Sequence, residues 1–283
     1  MSDSVRWVVA ADTHEGFLAR TREVWQYRRI LAFFSLKAVQ SLYAKTHLGV
    51  SWIFIRTLVP LFVGSFVFGS VMNVPSGDVP YLLFFLAGQI PWNCFDGPLI
   101  RGSRGLEVNR MLLTKLYVPR IILPLGQMAA GVVEPAIILL VFVGALVHYR
   151  TTDGVWHVMA SPRLLASLAS IVVILVFAFS LTLWTSIWQA RARDARFALR
   201  YVVGFWMYFT PVIYPMSVVP PHLQWLMYLN PLTAPIEMFR WGTLPDADNP
   251  WLWFWYSVAV TAAIFAGGVW YFAHTESTTM DKI

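Results

Sequence analysis

Residues 164–200 read LLASLASIVVILVFAFSLTLWTSIWQARARDARFALR. The stretch 164–188 carries no charge, and Arg191, Arg193, Arg196 and Arg200 crowd in directly behind it. An uncharged apolar run longer than the roughly 20 residues a helix needs to cross the hydrocarbon core reads as a membrane span. The arginines read as its cytoplasmic flank, because short basic loops resist translocation. Outward from this stretch the same alternation recurs, giving apolar segments at 50–72, 80–100, 119–147, 164–188, 201–217 and 251–273.

The basic residues sort by side. Arg6, Arg20, Arg22, Arg28, Arg29, Lys37 and Lys45 precede the first span, and Arg101, Arg104, Arg110, Lys115 and Arg120 follow the second. With the four arginines of 189–200 and Lys282, 17 of the 21 fall on one face, against Arg150, Arg163 and Arg240 on the other and Arg56 inside a span. Both termini are therefore expected in the cytoplasm, and the crossings are even in number. Helices satisfy every backbone polar group within one segment, as lipid requires. The expected fold is an all-α membrane protein with six transmembrane helices.

Composition agrees: 58% of residues are hydrophobic and 13% charged. The pI near 9.6 would suit nucleic acid, but the charge sits in membrane-flanking loops, where topology and anionic lipid headgroups account for it. No nucleic-acid partner is expected. The single cysteine, Cys94, has no partner for an internal disulfide. Residues 1–20 hold Asp3, Asp12 and Glu15 and no apolar core, so the first span is expected to act as an uncleaved signal. The expected organisation is a cytoplasmic segment 1–21, an amphipathic interface helix 22–48, a permease domain 49–273 and a cytoplasmic tail 274–283.

Within 22–45, Tyr27, Ile30, Leu31, Phe34, Ala38 and Leu42 keep a helical period, while Gln26, Arg29, Lys37 and Gln40 fall on another face. Such a helix lies in the membrane interface or packs on the protein's own cytoplasmic surface. Pro60, Pro119, Pro124, Pro135, Pro211 and Pro215 predict kinks, which membrane helices tolerate where neighbours satisfy the freed carbonyls. Residues 218–250 contain HLQWLMYL and PLTAPIEMFRWGTL, split at Asn230-Pro231. Both are too short to span, which predicts two short re-entrant helices on the outer side.

Several chemistries are missing. There is no GxxxxGK[ST], and none of the four lysines follows a glycine, so the chain cannot cradle ATP phosphates in a P-loop. The six histidines form no HExxH, and Gly102-Ser103-Arg104-Gly105 lacks the GxSxG spacing. No catalytic residue, metal site or cofactor is expected, and any energy source belongs to a partner.

Charges inside spans are costly and usually paired or functional. Arg56 and Asp96 have matching depths and are candidates for a pair; alternatively Arg56 snorkels to the interface. Glu134 lies mid-span before Pro135, either facing an aqueous path or bonded to a neighbouring helix. Glu237 and Arg240, spaced i, i+3, can pair with each other. Aromatic residues at the outer ends of three spans are candidates for a ring on which sugars stack: Phe62 and Phe66, Tyr81, Phe84 and Phe85, and Tyr208, Phe209 and Tyr214. Lipid contact or packing is the competing role for them.

Several blocks in order, each weak alone, carry a resemblance. They are YAKTHLG (43–49) with Trp52 and Pro60, Pro91-Trp92-Asn93 with Phe95, NRMLLTKLYVPRIILPL (109–125), Arg193-Asp194, and TPVIYPMSVVP (210–220) followed by Leu229-Asn230-Pro231-Leu232. Over residues 40–245 the chain resembles the permease subunits of type-2 ABC exporters, in the branch exporting polysaccharides and polyol phosphates. Arg56 and Ala195 depart from that branch's pattern. The resemblance implies a homodimer in the bacterial inner membrane carrying two copies of a separate ABC ATPase, which uses ATP and magnesium while this chain binds neither. It implies that the interface helix and the 101–120 loop meet the ATPase, making Glu23, Arg104, Glu107 and Lys115 candidates for coupling. It also implies a glycan substrate on a polyprenyl pyrophosphate lipid, of O-antigen, capsule, galactan or teichoic-acid-like type, whose anionic head suits the cytoplasmic basic cluster. The alternatives are a type-2 permease for a small lipid or drug and, more remotely, a membrane-embedded polyprenyl-lipid transferase.

Overall fold

The computed structural model describes residues 25–42, 44, 47–49, 51–113, 118–158, 161–245 and 247–280, with backbone alone at 112–113 and 276–280. Every regular element among them is helical, as the apolar periodicity predicts. Helix α1 (Arg28–Ser41) precedes α2 (Ser51–Ser65), which continues as a π-helix over Phe66–Val71. Then come α3 (Tyr81–Gly102), the short α4 (Gly105–Val108) and α5 (Arg110–Leu113), and α6 (Ile122–Gly131) leading into α7 (Val133–Asp153). Helix α8 (Leu164–Arg191) is followed by α9 (Asp194–Trp206), the short pair α10 (Pro221–Tyr228) and α11 (Thr233–Thr243), and α12 (Trp251–Met280).

Among the described residues, four helical stretches are long and apolar enough to cross a membrane: Ser51–Val71, Ile122–Asp153, Leu164–Arg191 and Trp251–Thr275. Helix α3 has 22 residues, about 33 Å of rise, yet it is interrupted by Pro91 and Pro98 and carries Gln89, Asn93 and Asp96. It can be this polar because it is central. It packs against α6, α7, α8 and α11, and Leu83, Leu86, Phe95 and Leu99 on it are fully buried.

The expected fifth span, 201–217, is displaced. Helix α9 starts at Asp194, so most of the basic stretch expected as a loop forms its first turns. A 3₁₀ turn over Met207–Phe209 closes it, and Thr210 is extended, because the following Pro211 disfavours helix in the residue before it. The expected third span runs as one helical stretch, Ile122–Asp153, interrupted at a single turn residue among its prolines. Pro124 and Pro135 each stand third in their helices, where the missing N–H costs no intrahelical bond, and the break falls at Val132.

Helix α1 packs across one end of the bundle. Phe34 is buried with Leu106, Ile122, Leu123, Leu183, Ile187 and Phe272, while Trp25, Phe33 and Leu36 on its other side stay exposed. At the far end α10 and α11 form where the short apolar segments predict them. Helix α11 is almost wholly buried against α8, α3 and α12; α10 buries no residue.

Candidate functional site

Helix α3 has one open face. Asn93, Asp96, Gly97, Ile100 and Arg101 are partly exposed along it, while the positions around them are buried. These residues repeat at three and four positions, so they form a single stripe. The stripe is polar: Asn93 Nδ2 donates to the Gln89 carbonyl at 2.8 Å and to its side-chain Oε1 at 3.0 Å. Helices α2 and α9 also touch α3, and both are lightly held. Helix α2 buries only Ile53, Thr57 and Leu61, and α9 only Val203. The polar strip thus lies on a helix touched by two lightly held neighbours.

A layer of charge crosses the Arg101 end of this stripe. Arg56 of α2 pairs with Glu134 of α7, and Arg101 Nη2 lies 3.4 Å from the same Glu134 Oε1. Asp96 is within electrostatic reach of Glu134, Arg200 and Arg101. Arg56 and Arg200 lie about one and a half turns after the start of their helices, and Asp96 about one and a half turns before the end of its own. The expected Arg56–Asp96 pair is thus corrected: Arg56 meets Glu134. Gly97 and Gly131 bring α3 and the α6–α7 break so close that a Cβ on Gly97 would stand 2.5 Å from the Gly131 carbonyl oxygen. That approach brings Glu134, just after the break, to α3, where it meets Arg101 as well as Arg56 of α2.

The eight candidate aromatics divide. Phe62 and Phe66 on the α2 segment and Tyr208 and Phe209 at the end of α9 are exposed. Phe84 and Phe85 are buried and do packing work, which corrects their place in an open ring. The Arg240 guanidinium carbon lies 3.9 Å from the Phe84 ring centre, and the Phe85 ring packs on Gly64. Tyr81 donates to the Ile213 carbonyl at 2.7 Å, and Tyr214 to that of Tyr208 at 3.0 Å.

Arg240 itself is 1% exposed. It donates to Glu237 Oε1 at 2.8 Å, the pair the i, i+3 spacing predicts, and to the carbonyls of Pro211 and Val212, each at 2.6 Å. One cation thereby fixes the extended segment after α9 to α11 and to the outer half of α3.

At the end covered by α1, Glu107 of α4 pairs with Arg196 of α9, and Arg104 directly precedes α4. Arg104 Nε, Glu107 Oε2 and Arg196 Nε are buried without hydrogen-bond partners among the described residues. Glu23 and Lys115, the other coupling candidates, lie outside the described residues. A cleft of about 310 Å³ opens between α1 and this region, lined by Lys37, Ala38, Ser41, Asn109, Met111 and Gln127 among others.

Arg196 and Arg200 are site residues that sequence reading treated as loop charge. The signal was present: Asp194 followed by Arg196 and Arg200 at helical spacing marks a helix start, with the acid at the positive end of the dipole.

The ABC-2 type transporter family profile matches residues 32–244. Among curated proteins, the O-antigen export system permease protein RfbA of Myxococcus xanthus is 25% identical over 236 residues, covering 80% of this chain and 86% of that protein. RfbA of Klebsiella pneumoniae is 24% identical over 76% of this chain and 82% of its own length. The inner membrane transport permease YadH of Escherichia coli K12 is 25% identical over 75% and 85%.

Proposed function

The chain belongs to the ABC-2 type transporter family, and from that premise we propose that it is the membrane subunit of an ATP-driven exporter of lipid-linked polysaccharide. A member of this family is a transporter's membrane subunit, not an enzyme in its own right, and it works with an ABC ATPase. The observation that carries the finer reading is the polar stripe of α3. A hydrated glycan cannot cross hydrocarbon unaided, and it needs a polar surface at membrane depth. Asn93, Asp96 and Arg101 supply such a surface between α2 and α9, with Phe62, Phe66, Tyr208 and Phe209 exposed beyond it.

Six crossings are proposed, with α3 and α9 as the second and fifth and both termini cytoplasmic. Two copies of the chain would face each other across α2 and α9, whose exposed apolar residues support such a contact, and two ATPase subunits would sit under α1, α4 and the cleft. The RfbA relatives support a surface glycan of the O-antigen kind as cargo, carried on a polyprenyl pyrophosphate lipid across the bacterial inner membrane.

The test is a deletion strain in which lipid-linked glycan inside the cell is separated from glycan at the surface. Intracellular accumulation with surface loss, restored by this gene only beside its ATPase, is expected. Unchanged surface glycan would transfer the assignment to a permease for a small lipid or drug. The purified chain alone should hydrolyse no ATP.

A further inference from the structure

We propose that Glu134 is a two-position latch on helix α2: held by Arg56 it keeps α2 seated, and passed to Arg101 it lets that helix swing away from α3 and α7. The consequence for cargo rests on the export reading above, because α2 touches the helix that carries the polar stripe.

Helix α2 is lightly seated. Of its 15 residues only Ile53, Thr57 and Leu61 are buried, a single row at i, i+4 and i+8, and its π-helical continuation buries none. The two ends are held differently. Near the π-helix the backbone fits closely: a Cβ on Gly64 would stand 3.0 Å from Phe85 Cζ, and one on Gly69 2.7 Å from Tyr81 Cδ1. At the other end the Arg56–Glu134 pair reinforces the seam. Segments with few buried contacts open first, so the Gly64 end is the pivot and the Arg56 end moves. Single π-helical turns inside α-helices concentrate at functional sites.

Both positions of the latch satisfy the carboxylate. Glu134 is the second residue of α7, where the helix dipole favours a negative charge, so it stays while its partners change. Its Oε1 accepts from Arg56, and Arg101 Nη2 lies 3.4 Å from the same oxygen. When Arg56 leaves, Arg101 closes on Glu134, which avoids the unpaired charge that makes breaking such a pair costly. Arg56 is in the second turn of α2 with its side chain already 46% exposed, and it reaches water along its own stem. The seated position has a cost of its own. Thr57 Oγ1 is buried with no hydrogen-bond partner among the described residues, a penalty that opening removes. Two arrangements that each satisfy the acid make a switch, not a fixed strut.

The test uses the purified full chain in lipid nanodiscs, in a Cys94→Ala background with Thr57→Cys as the probe. Thr57→Cys exchanges an unbonded hydroxyl for a thiol of similar size in the middle of the seam. Its rate of labelling by a methanethiosulfonate reagent, followed by mass spectrometry, reads how often the seam opens. Arg56→Gln and Glu134→Gln should each raise that rate about tenfold. Arg101→Gln should lower it severalfold, because Glu134 then has Arg56 alone and opening strands the carboxylate. A merely structural cluster gives one sign for all three variants. A rise or no change in Arg101→Gln, or an unchanged rate in Arg56→Gln, overturns the latch. Ser170→Cys, placed instead of Thr57→Cys at a buried position of α8, should label equally slowly in every variant. A parallel rise there shows general loosening and also overturns the latch. The labelling needs no cargo. Opposite responses of Arg56→Gln and Arg101→Gln, in a chain whose deletion leaves surface glycan unchanged, keep the latch and defeat the export reading. Responses of one sign, beside loss of surface glycan on deletion, defeat the latch alone.

Discussion

Glu107, on the four-residue helix α4, pairs with Arg196 in the first turn of α9. The pair joins the segment after α3 to a helix that buries only Val203, so displacement of that segment is passed to α9 with little packing to absorb it. Both side chains are about one-third exposed, and such pairs contribute at most about 1 kcal/mol to stability. Glu107→Gln is therefore expected to leave thermal stability nearly unchanged while lowering export severalfold in the complex with its ATPase. The exchange Glu107→Arg/Arg196→Glu should recover much of the loss. Surface glycan measured beside ATP hydrolysis checks this; export in Glu107→Gln equal to wild type would remove the pair from the coupling path.

The Arg240 clamp is structural and predicts a different signature. Arg240→Ala leaves Glu237 as an unpaired buried carboxylate and strips the Pro211 and Val212 carbonyls of their donor. Losing one partner of a buried ion pair costs about 3–5 kcal/mol, so the variant should unfold in detergent at clearly lower denaturant. Arg240→Met combined with Glu237→Leu should be milder than Arg240→Ala, because no charge is left behind. A double variant as unstable as the single would show that the carbonyl bonds, not the ion pair, dominate.

Gly97 and Gly131 set the spacing on which the charge layer depends. Gly97→Ala forces its methyl against the Gly131 carbonyl and should cost about 1–3 kcal/mol, as overpacking does, while separating Arg101 from Glu134. Gly144→Ala is the control: nothing lies within 4 Å of its Cβ, and gaining helix propensity should leave α7 as stable or up to about 1 kcal/mol more so. Denaturation of both variants in the same detergent makes the comparison.

Hydropathy and helical period alone make the helical architecture, the amphipathic helix α1 and the short pair α10 and α11 legible, because each depends on local period and length. The start of α9 was obscured by its arginines: a run of cations looks like a loop when counted for topology, although its spacing is helical. The Glu134 partnership was hidden for another reason. Depth along a helix can be counted from sequence, but azimuth across a bundle depends on how closely Gly97 approaches Gly131, a tertiary fact with no signature beyond two glycines. Phe84 illustrates the same limit, since an aromatic at an outer helix end reads alike whether it faces an opening or lies under a buried arginine.

Asn230 offers the last prediction. Its Oδ1 accepts from Trp206 Nε1 at 3.0 Å and from the Leu232 backbone N–H at 3.1 Å, and its Nδ2 donates to Thr210 Oγ1 at 2.8 Å and to the Phe209 carbonyl at 3.1 Å. One side chain thus binds the end of α9 to the turn between α10 and α11, which fixes where Tyr208 and Phe209 project. Asn230→Asp keeps the acceptor for Trp206 but sets a carboxylate oxygen against the Phe209 carbonyl. Asn230→Ala removes the bonds without adding that repulsion. Both should lose about 1–3 kcal/mol, the cost of unsatisfied polar groups, and Asp should be no better than Ala. If Asp behaved like wild type, the bonds from Nδ2 would contribute nothing, and the end of α9 would be held by the Trp206 contact alone.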